Sequence, residues 1–329
     1  MIEPVKLTKK DFETDQEVRW CPGCGDYAIL AAVQRFLPEL DTPKENHVFL
    51  SGIGCAARFP YYMNTYGMHT IHGRAPGFAT GLKIANPDLT VWICSGDGDL
   101  LSIGGNHTMH VMRRNLDINI LLFNNRIYGL TKGQYSPTSE QGKITKSTPF
   151  GSVEAPLDPI SFALNCGATF VARGLDVDPK GLVELLRKAE AHKGTSFVEI
   201  FQNCNVFNDG AHKRVADKPT RKENQLVLQH GEPMIYGAED DKAITLDGHK
   251  PRQTSADEAD LVKYDQTDRD MAMLVSHLQP GMPVPMGVFY QVDAPTYDEG
   301  VVSQVEVEKE RKPGDLKSLL YGADTWDVE

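Results

Sequence analysis

The sequence is short of positive charge, of long apolar runs and of repeats. Its 329 residues hold 34 Lys and Arg against 45 Asp and Glu, a net charge of −11. That balance argues against nucleic acid as a general partner, because phosphate backbones call for basic faces. It also means that an acidic electron carrier could be drawn only to a local basic patch. The longest apolar runs, such as residues 118–123, are far too short to cross a bilayer, so no membrane is expected. The opening stretch MIEPVKLTKKDFETDQE lacks an apolar h-region, and a cytoplasmic protein is the expectation. Internal repeats and low-complexity tracts are absent. What remains is an ordinary globular composition, with chain enough for one large domain or two small ones.

Strand-like and helix-like segments alternate along most of that chain. Short apolar strands are expected at residues 47–50, 91–94, 118–123, 169–172 and 196–201, the last of these being the last clear strand. Helices are expected at 26–37, with Asp26 as its cap, at 76–85 with Pro76 in its first turn, at about 102–115, at 159–166 and at 179–192. Residues 58–70 read as aromatic and irregular, and 133–159 as a long polar loop of functional or partner-contacting type. This alternation predicts an α/β fold, a mostly parallel sheet with helices on both faces. Residues 1–229 are expected to form that domain. Residues 230–329 read as an extension, with a small hairpin, one helix over 268–279 and a Pro-rich apolar stretch, draped over the domain or a partner subunit.

Chemistry concentrates between Trp92 and Gln134. A buried strand runs into Gly96-Asp97-Gly98-Asp99, and a second, with 25 residues between Gly98 and Asn124, ends in Asn124-Asn125-Arg126-Ile127-Tyr128-Gly129. In an open parallel sheet, ligands bind at the carboxyl ends of the strands. Gly96 and Gly98 let a backbone approach a bulky anion, and the helix behind them offers free N–H groups. Asp97 supplies a hard oxygen and Asn125 an amide oxygen, and Mg²⁺ on a phosphorylated cofactor takes one or two such ligands. The spacing resembles the thiamine diphosphate motif, which implies Mg²⁺ on Asp97, Asn125 and the carbonyl of Ile127. A bare GDG turn would be commonplace; both halves at this separation favour the cofactor.

Six cysteines in a cytosolic chain do not suggest disulfides. Cys94 in a hydrophobic strand and Cys166 behind Phe162, Ala163 and Leu164 read as buried packing. Cys21 and Cys24 form a CxxC turn, Cys55 ends a Gly-rich strand, and Cys204 lies in a polar loop after a strand. Four thiolates at sheet-edge loops suit tetrahedral zinc or a [4Fe–4S] cluster, and spacing alone does not separate the two. The cofactor tips the balance. Thiamine stabilises a carbanion, and a neighbouring cluster could take electrons from it.

The motifs CPGCG, GIGC, HGRAPGFATG, GDGD, SIGGNH, FNNRIYGLTKGQ and QNCN together resemble the β subunit of 2-oxoacid:ferredoxin oxidoreductases, most of all the 2-oxoglutarate branch. The likeness runs over residues 20–230. It implies oxidative decarboxylation of a 2-oxoacid with coenzyme A, giving acyl-CoA, CO₂ and reduced ferredoxin. Cys21, Cys24, Cys55 and Cys204 would ligate one [4Fe–4S] cluster. Ile53, Gly54, Cys55 and Ala56 would line the thiamine, with His72 beside it and Asn106 of the SIGGNH motif among the cofactor contacts. Gly96, Gly98, Asp99, Gly129, Leu130 and Thr131 would approach the diphosphate. The family's α subunit supplies the carboxylate that activates the aminopyrimidine, and this chain offers no equivalent. Lys132 stands where members acting on small uncharged substrates tend to have glycine, and near the reacting carbon it would favour a second carboxylate, as in 2-oxoglutarate; otherwise it is a solvated loop residue or holds the diphosphate. Arg74 would contact the substrate carboxylate or pair within the sheet edge, and His72 could equally be a loop hydrogen-bonder. Three other readings stay open. One is a pyruvate or branched-chain 2-oxoacid substrate, one a non-redox thiamine decarboxylase with structural zinc, and one an assembly subunit that keeps the GDG turn as scaffold.

Overall fold

The structure, a computed structural model, describes residues 6–311, 314–322, 324–326 and 328. Its frame is an eight-stranded sheet built from β1 (His47–Ser51), β2 (Tyr66–His69), β3 (Thr90–Gly96), β4 (Ile118–Asn124), β5 (Phe170–Leu175), β6 (Thr195–Phe201), β7 (Gln225–Leu228) and β11 (Val284–Gln291). The order is β2-β1-β3-β4-β6-β5-β11-β7. The first six strands are mutually parallel, and β11 pairs antiparallel with β5 and parallel with β7. Three further strands, β8 (Met234–Tyr236), β9 (Lys242–Asp247) and β10 (Lys250–Ser255), form a small antiparallel sheet. The α/β architecture expected from the alternation is present.

Each face of the sheet is closed by helices because its central strands are apolar on both sides. In β4 every residue is buried; Ile118, Ile120 and Leu122 face one core, and Leu121 and Phe123 the other. The first core takes Ala75 and Ala79 of α2 (Ala75–Ala85), Val111 and Met112 of α3 (Gly105–Arg114), Ile160 of α4 (Pro159–Asn165) and Val275 of α8 (Arg269–Ser276). The second takes Ile29 and Val33 of α1 (Asp26–Phe36) with Leu182 and Leu186 of α5 (Pro179–Ala191). Burying each such Leu, Ile or Phe contributes about 1.5–3 kcal/mol, so the central strands are the least deformable part of the molecule. Their carboxyl ends are correspondingly firm mounts for loops.

Several expectations are corrected. Asp26 does not cap α1: it is the first helical residue, Gly25 is the cap, and the carboxylate turns into the interior. The helix after GDGD does not begin at Ser102. A π-helical turn spans Asp99–Ile103, and α3 follows from Gly105. Residues 58–70 are not irregular; a 3-10 helix (Ala56–Tyr62) leads into edge strand β2. Nor is β6 the last strand. The Pro-rich stretch supplies β11, in which Pro285, Met286, Val288 and Phe289 are buried and which pairs with β5, so residues 230–329 contribute a strand to the main sheet. Two helices, α9 (Tyr297–Arg311) and α10 (Leu316–Tyr321), carry no sequence signal strong enough to anticipate. Between β6 and β7 lie the short helices α6 (Lys213–Ala216) and α7 (Lys218–Asn224). No helix among the described residues is long and apolar enough to cross a membrane.

Candidate active site

From β1 the chain crosses to β2 on one side, whereas β3 and β4 lie on the other. The crevice between β1 and β3 is therefore the topological switch point, where an open α/β sheet accepts a ligand. Loops from the carboxyl ends of β1, β2, β3 and β4 meet there. Ile53, Gly54, Cys55, Ala56, His72, Gly96, Asp97, Gly98, Asp99, Asn125, Ile127, Tyr128, Gly129, Leu130 and Thr131 line one cavity. Its enclosed volume is about 80 Å³, well below the roughly 300 Å³ or more of a site that encloses a small organic ligand. These walls fit one end of a cofactor.

Asp97, buried at the end of β3, is the most constrained group. Its Oδ2 accepts hydrogen bonds from Ser136 Oγ and Thr138 Oγ1, each at 2.5 Å. Burial pushes its carboxyl up to about 6 against those two hydroxyls, which pull it down. No Lys, Arg or His among the described residues pairs with it at salt-bridge distance. A buried carboxylate lacking a protein counter-charge suits a cation. Across the cavity, Asn125 Oδ1 accepts the N–H of Ile127 at 3.2 Å, which fixes the turn and aims both groups. Asn208 Nδ2 donates to the Asn125 carbonyl at 2.9 Å. A Cβ on Gly54 would touch nothing within 4 Å, and one on Gly96 only the Phe123 carbonyl at 4.0 Å, so both glycines leave open space towards the cavity. Gly98 is different, since a Cβ there would fall 2.2 Å from Tyr128 Cε1. Tyr128 OH donates to the Gly98 carbonyl at 2.9 Å, which ties the two motif halves together.

Asp99 does not offer a free carboxylate to a diphosphate. Its Oδ1 accepts the N–H groups of Ile53 (3.1 Å) and Gly73 (2.8 Å), and Oδ2 accepts Ser95 Oγ (2.6 Å). His72 Nδ1 lies 2.6 Å from the same Oδ1, without an aligned hydrogen bond. One buried carboxylate thus holds the loops after β1, β2 and β3. Gly73, at φ +70°, and Gly104 pass so closely that a Cβ on Gly73 would fall 2.5 Å from the Gly104 nitrogen. Gly73 of HGR and Gly104 of SIGG therefore serve loop packing.

The remaining expected residues divide. Asn106 is exposed on the first turn of α3, outside the cavity lining. Arg74 faces an open apolar surface with Met68, Ile71, Phe78 and Leu82, its guanidinium against His107. Lys132 is exposed at the rim with φ +77°, and its side chain does not line the cavity. Sequence reading missed Ser136 and Thr138, which sit in the long polar loop of functional or partner-contacting type. It also missed Arg19 and Arg58, which with Tyr61, Tyr62 and His69 line a second cavity of about 490 Å³. That cavity shares Ile53, Gly54 and Leu130 with the first.

The four cysteines come together beside the same loops. A Cβ on Gly129 would lie 3.4 Å from Cys55 Sγ and 3.7 Å from Cys204 Sγ. Burial raises the Cys24 thiol well above its ordinary range, and the charges of Asp26, Cys204 and Cys55 add to this. Burial likewise pushes Cys55 up to about 12, with Asp26, Cys204 and Cys21 adding to it. Thiolates crowded in this way persist only beside compensating positive charge. Gln202 Nε2 lies 3.2 Å from Cys24 Sγ, and Trp20 Nε1 donates to the Cys55 carbonyl at 2.8 Å. Among the described residues no three His, Cys, Asp or Glu side chains surround a single-ion position. Cys94 is fully buried in β3 and Cys166 is half-buried at the end of α4, apart from this group.

Comparison with known proteins points the same way. The family model described as "Thiamine pyrophosphate enzyme, C-terminal TPP binding domain" matches residues 52–200. The chain is 51% identical over 330 residues to the 2-oxoglutarate oxidoreductase subunit KorB of Mycobacterium tuberculosis, covering 97% of this chain and 88% of that one. It is 36% identical to the 2-oxoacid:ferredoxin oxidoreductase subunit beta of Saccharolobus solfataricus, covering 94% of each. Among solved structures it is similar to a 2-oxoglutarate:ferredoxin oxidoreductase from Magnetococcus marinus with 2-oxoglutarate, coenzyme A and succinyl-CoA bound. There the TM-score is 0.78 at 33% identity, over 98% of each chain.

Proposed function

The chain belongs to the β subunits of 2-oxoacid:ferredoxin oxidoreductases, and from that premise we propose that it is the thiamine- and cluster-bearing half of a CoA-acylating 2-oxoglutarate oxidoreductase. The reaction is 2-oxoglutarate + CoA + 2 oxidised ferredoxin → succinyl-CoA + CO₂ + 2 reduced ferredoxin + H⁺. Thiamine diphosphate supplies the electron sink for decarboxylation when bound. Asp97, Asn125 and the Ile127 carbonyl would hold Mg²⁺ on its diphosphate, as the unpaired buried carboxylate and the open Gly54 and Gly96 walls favour. The enclosed 80 Å³ leaves most of the cofactor to be walled by another chain, which supports an α-subunit partner.

Cys21, Cys24, Cys55 and Cys204 would hold the [4Fe–4S] cluster that passes electrons to ferredoxin. Zinc would gather its thiolates to about 2.3 Å of one centre. Zinc has no redox chemistry, whereas four thiolates beside a thiamine that must give up electrons suit an iron–sulfur cube. Within the chain, Ser136 and Thr138 hold Asp97 in place, and Asp99 fixes the loops carrying Ile53 and His72. Arg19 and Arg58 line the neighbouring cavity, which shares Ile53, Gly54 and Leu130 with the thiamine cavity, and would receive the second carboxylate of 2-oxoglutarate, with Lys132 at the rim as a further candidate.

The observation that carries the proposal is the meeting of Asp97 and Asn125 with the four thiols around one crevice. It is tested by co-expression with the α subunit and CoA-dependent viologen reduction on 2-oxoglutarate, pyruvate and branched 2-oxoacids. Preference for 2-oxoglutarate and a visible band bleached by substrate are expected. A colourless, zinc-containing complex without turnover would replace this reading with the decarboxylase or scaffold alternatives.

A further inference from the structure

The segment after the last cysteine runs against the charge of the chain. Residues 203–222 carry five Lys and Arg, at 213, 214, 218, 221 and 222, against Asp209 and Asp217, in a protein of net charge −11. Arg214 is engaged with Asn224 Oδ1 and the Met282 carbonyl, and Arg221 with the Ala216 carbonyl. Lys213, Lys218 and Lys222 are exposed and take no carboxylate partner among the described residues. Ahead of them Val206 and Phe207 stand 55% and 37% exposed.

This segment is knitted to the CxxC turn. Gly25 N–H donates to the Asn203 carbonyl at 3.1 Å, and Asn205 Nδ2 donates to the Pro22 carbonyl at 2.6 Å. Of the four grouped cysteines, Cys21 is exposed, Cys24 and Cys55 are partly covered, and Cys204 is buried. The most exposed of the four thiols is therefore Cys21, beside the Pro22 carbonyl to which Asn205 is bonded. An apolar centre with a charged rim is the anatomy of a transient protein interface.

We propose that the face formed by residues 21–23 and 203–222 is the docking site for an acidic, one-electron protein carrier, Val206 and Phe207 making the contact and Lys213, Lys218 and Lys222 steering approach. The proposal rests on the cluster reading given above. Oxidative decarboxylation releases two electrons per turnover: the C1–C2 bond of the 2-oxoacid breaks, CO₂ leaves, the thioester C–S bond forms, and the thiol proton goes to solvent. A one-electron carrier must then dock twice per turnover, so rapid, salt-sensitive association is favoured over tight binding. An overall charge of −11 repels an acidic carrier, and a local cationic rim overcomes that only over short range.

The test uses the αβ holoenzyme and a purified acidic two-cluster bacterial ferredoxin. In the triple variant Lys213→Glu, Lys218→Glu, Lys222→Glu, KM for ferredoxin should rise by about tenfold at low salt, and the salt dependence of KM should flatten. The calorimetric Kd for ferredoxin should weaken by a similar factor. Turnover with methyl viologen and the cluster absorbance should match wild type. Val206→Ser should weaken ferredoxin binding without changing its salt dependence. Unchanged ferredoxin KM and Kd in the triple variant would overturn the proposal. So would hydrogen exchange across residues 203–222 that addition of ferredoxin leaves unchanged. A wild-type holoenzyme that neither shows a cluster band nor reduces viologen would instead remove the underlying reading, and the docking proposal with it.

Discussion

Asp99→Asn in the αβ complex isolates what the Asp99 carboxylate does. In the structure it accepts from Ile53 N–H, Gly73 N–H and Ser95 Oγ, in a position only 3% exposed. Asparagine keeps one oxygen for the two backbone donors, and its amide can donate to Ser95 Oγ. What it loses is charge assistance, which roughly halves the worth of three bonds and costs about 1–2 kcal/mol. Asp99→Ala removes every acceptor and strands two N–H groups beside the cavity at about 1–3 kcal/mol each, for a total of about 2–6 kcal/mol. The freed loops carry Ile53, Gly54 and His72, so the loss should appear in cofactor affinity as well as in stability. Titration of the apo-complex with thiamine diphosphate and Mg²⁺ is expected to give a Kd about tenfold weaker for Asp99→Asn, equivalent to about 1.4 kcal/mol. The absorbance of the cysteine-held cluster should persist, because none of the three bonds touches Cys21, Cys24, Cys55 or Cys204. An Asp99→Asn complex that binds thiamine diphosphate within twofold of wild type would refute the reasoning that this carboxylate organises the site.

Other outcomes follow from individual contacts. Gly98→Ala forces a methyl onto the Tyr128 ring, so the variant should lose most thiamine diphosphate binding in calorimetry while keeping its cluster; ordinary affinity would mean the ring can move aside freely. Arg58→Ala should raise KM for 2-oxoglutarate by about tenfold or more, the loss of a charge-assisted contact, with pyruvate little affected. Lys132→Gly should change that ratio less, as its side chain is exposed, and should raise thermal stability by about 0.5–1 kcal/mol through relief of φ +77°. Equal KM effects of Arg58→Ala on both substrates would remove its selective role. His47 is fully buried, and burial holds its imidazole down at about 4. Below the unfolded value near 6.5 the unfolded chain binds the extra proton, so stability falls as pH drops from 6.5 towards 4, by about 2 kcal/mol at pH 5. His47→Leu should remove that share of the acid sensitivity, read as a smaller loss in melting temperature between pH 7 and pH 5 than in wild type.

The parts of the site legible in the sequence are those written in local order. Gly96-Asp97-Gly98 and Asn124-Asn125 each follow an apolar strand, and one crossover helix joins them, so parallel pairing of β3 and β4 brings them together without further information. The cysteines were legible as a group for a similar reason, each sitting at the end or turn of a recognisable element. The structural role of the Asp99 carboxylate was not legible because its partners, Ile53 and Gly73, are close only through β1 lying beside β3 and β2, and strand order is not written in periodicity. Arg58 was passed over since it sits in a 3-10 helix with an internal proline that reads as irregular. Edge strand β2 is exposed along its length, and β11 contains Pro285 and Gly287, so neither shows the apolar run by which β4 and β6 announce themselves. Ser136 and Thr138 lie in a loop whose fold depends on the carboxylate it contacts. No local signal separates them from the other hydroxyls of that loop.

The measurement that bears most directly on the account follows the visible absorbance of the αβ complex on addition of 2-oxoglutarate and CoA without an external acceptor, in wild type and in Asp97→Ala. Electrons drawn from substrate beside a cofactor seated at Asp97 and Asn125 should bleach the band of the cysteine-bound cluster in wild type. In Asp97→Ala the band should form but stay unbleached by substrate, while dithionite still reduces it. Equal bleaching in both proteins, or no iron–sulfur band in either, would contradict the claim that this chain seats a metal-bound thiamine diphosphate beside a cluster.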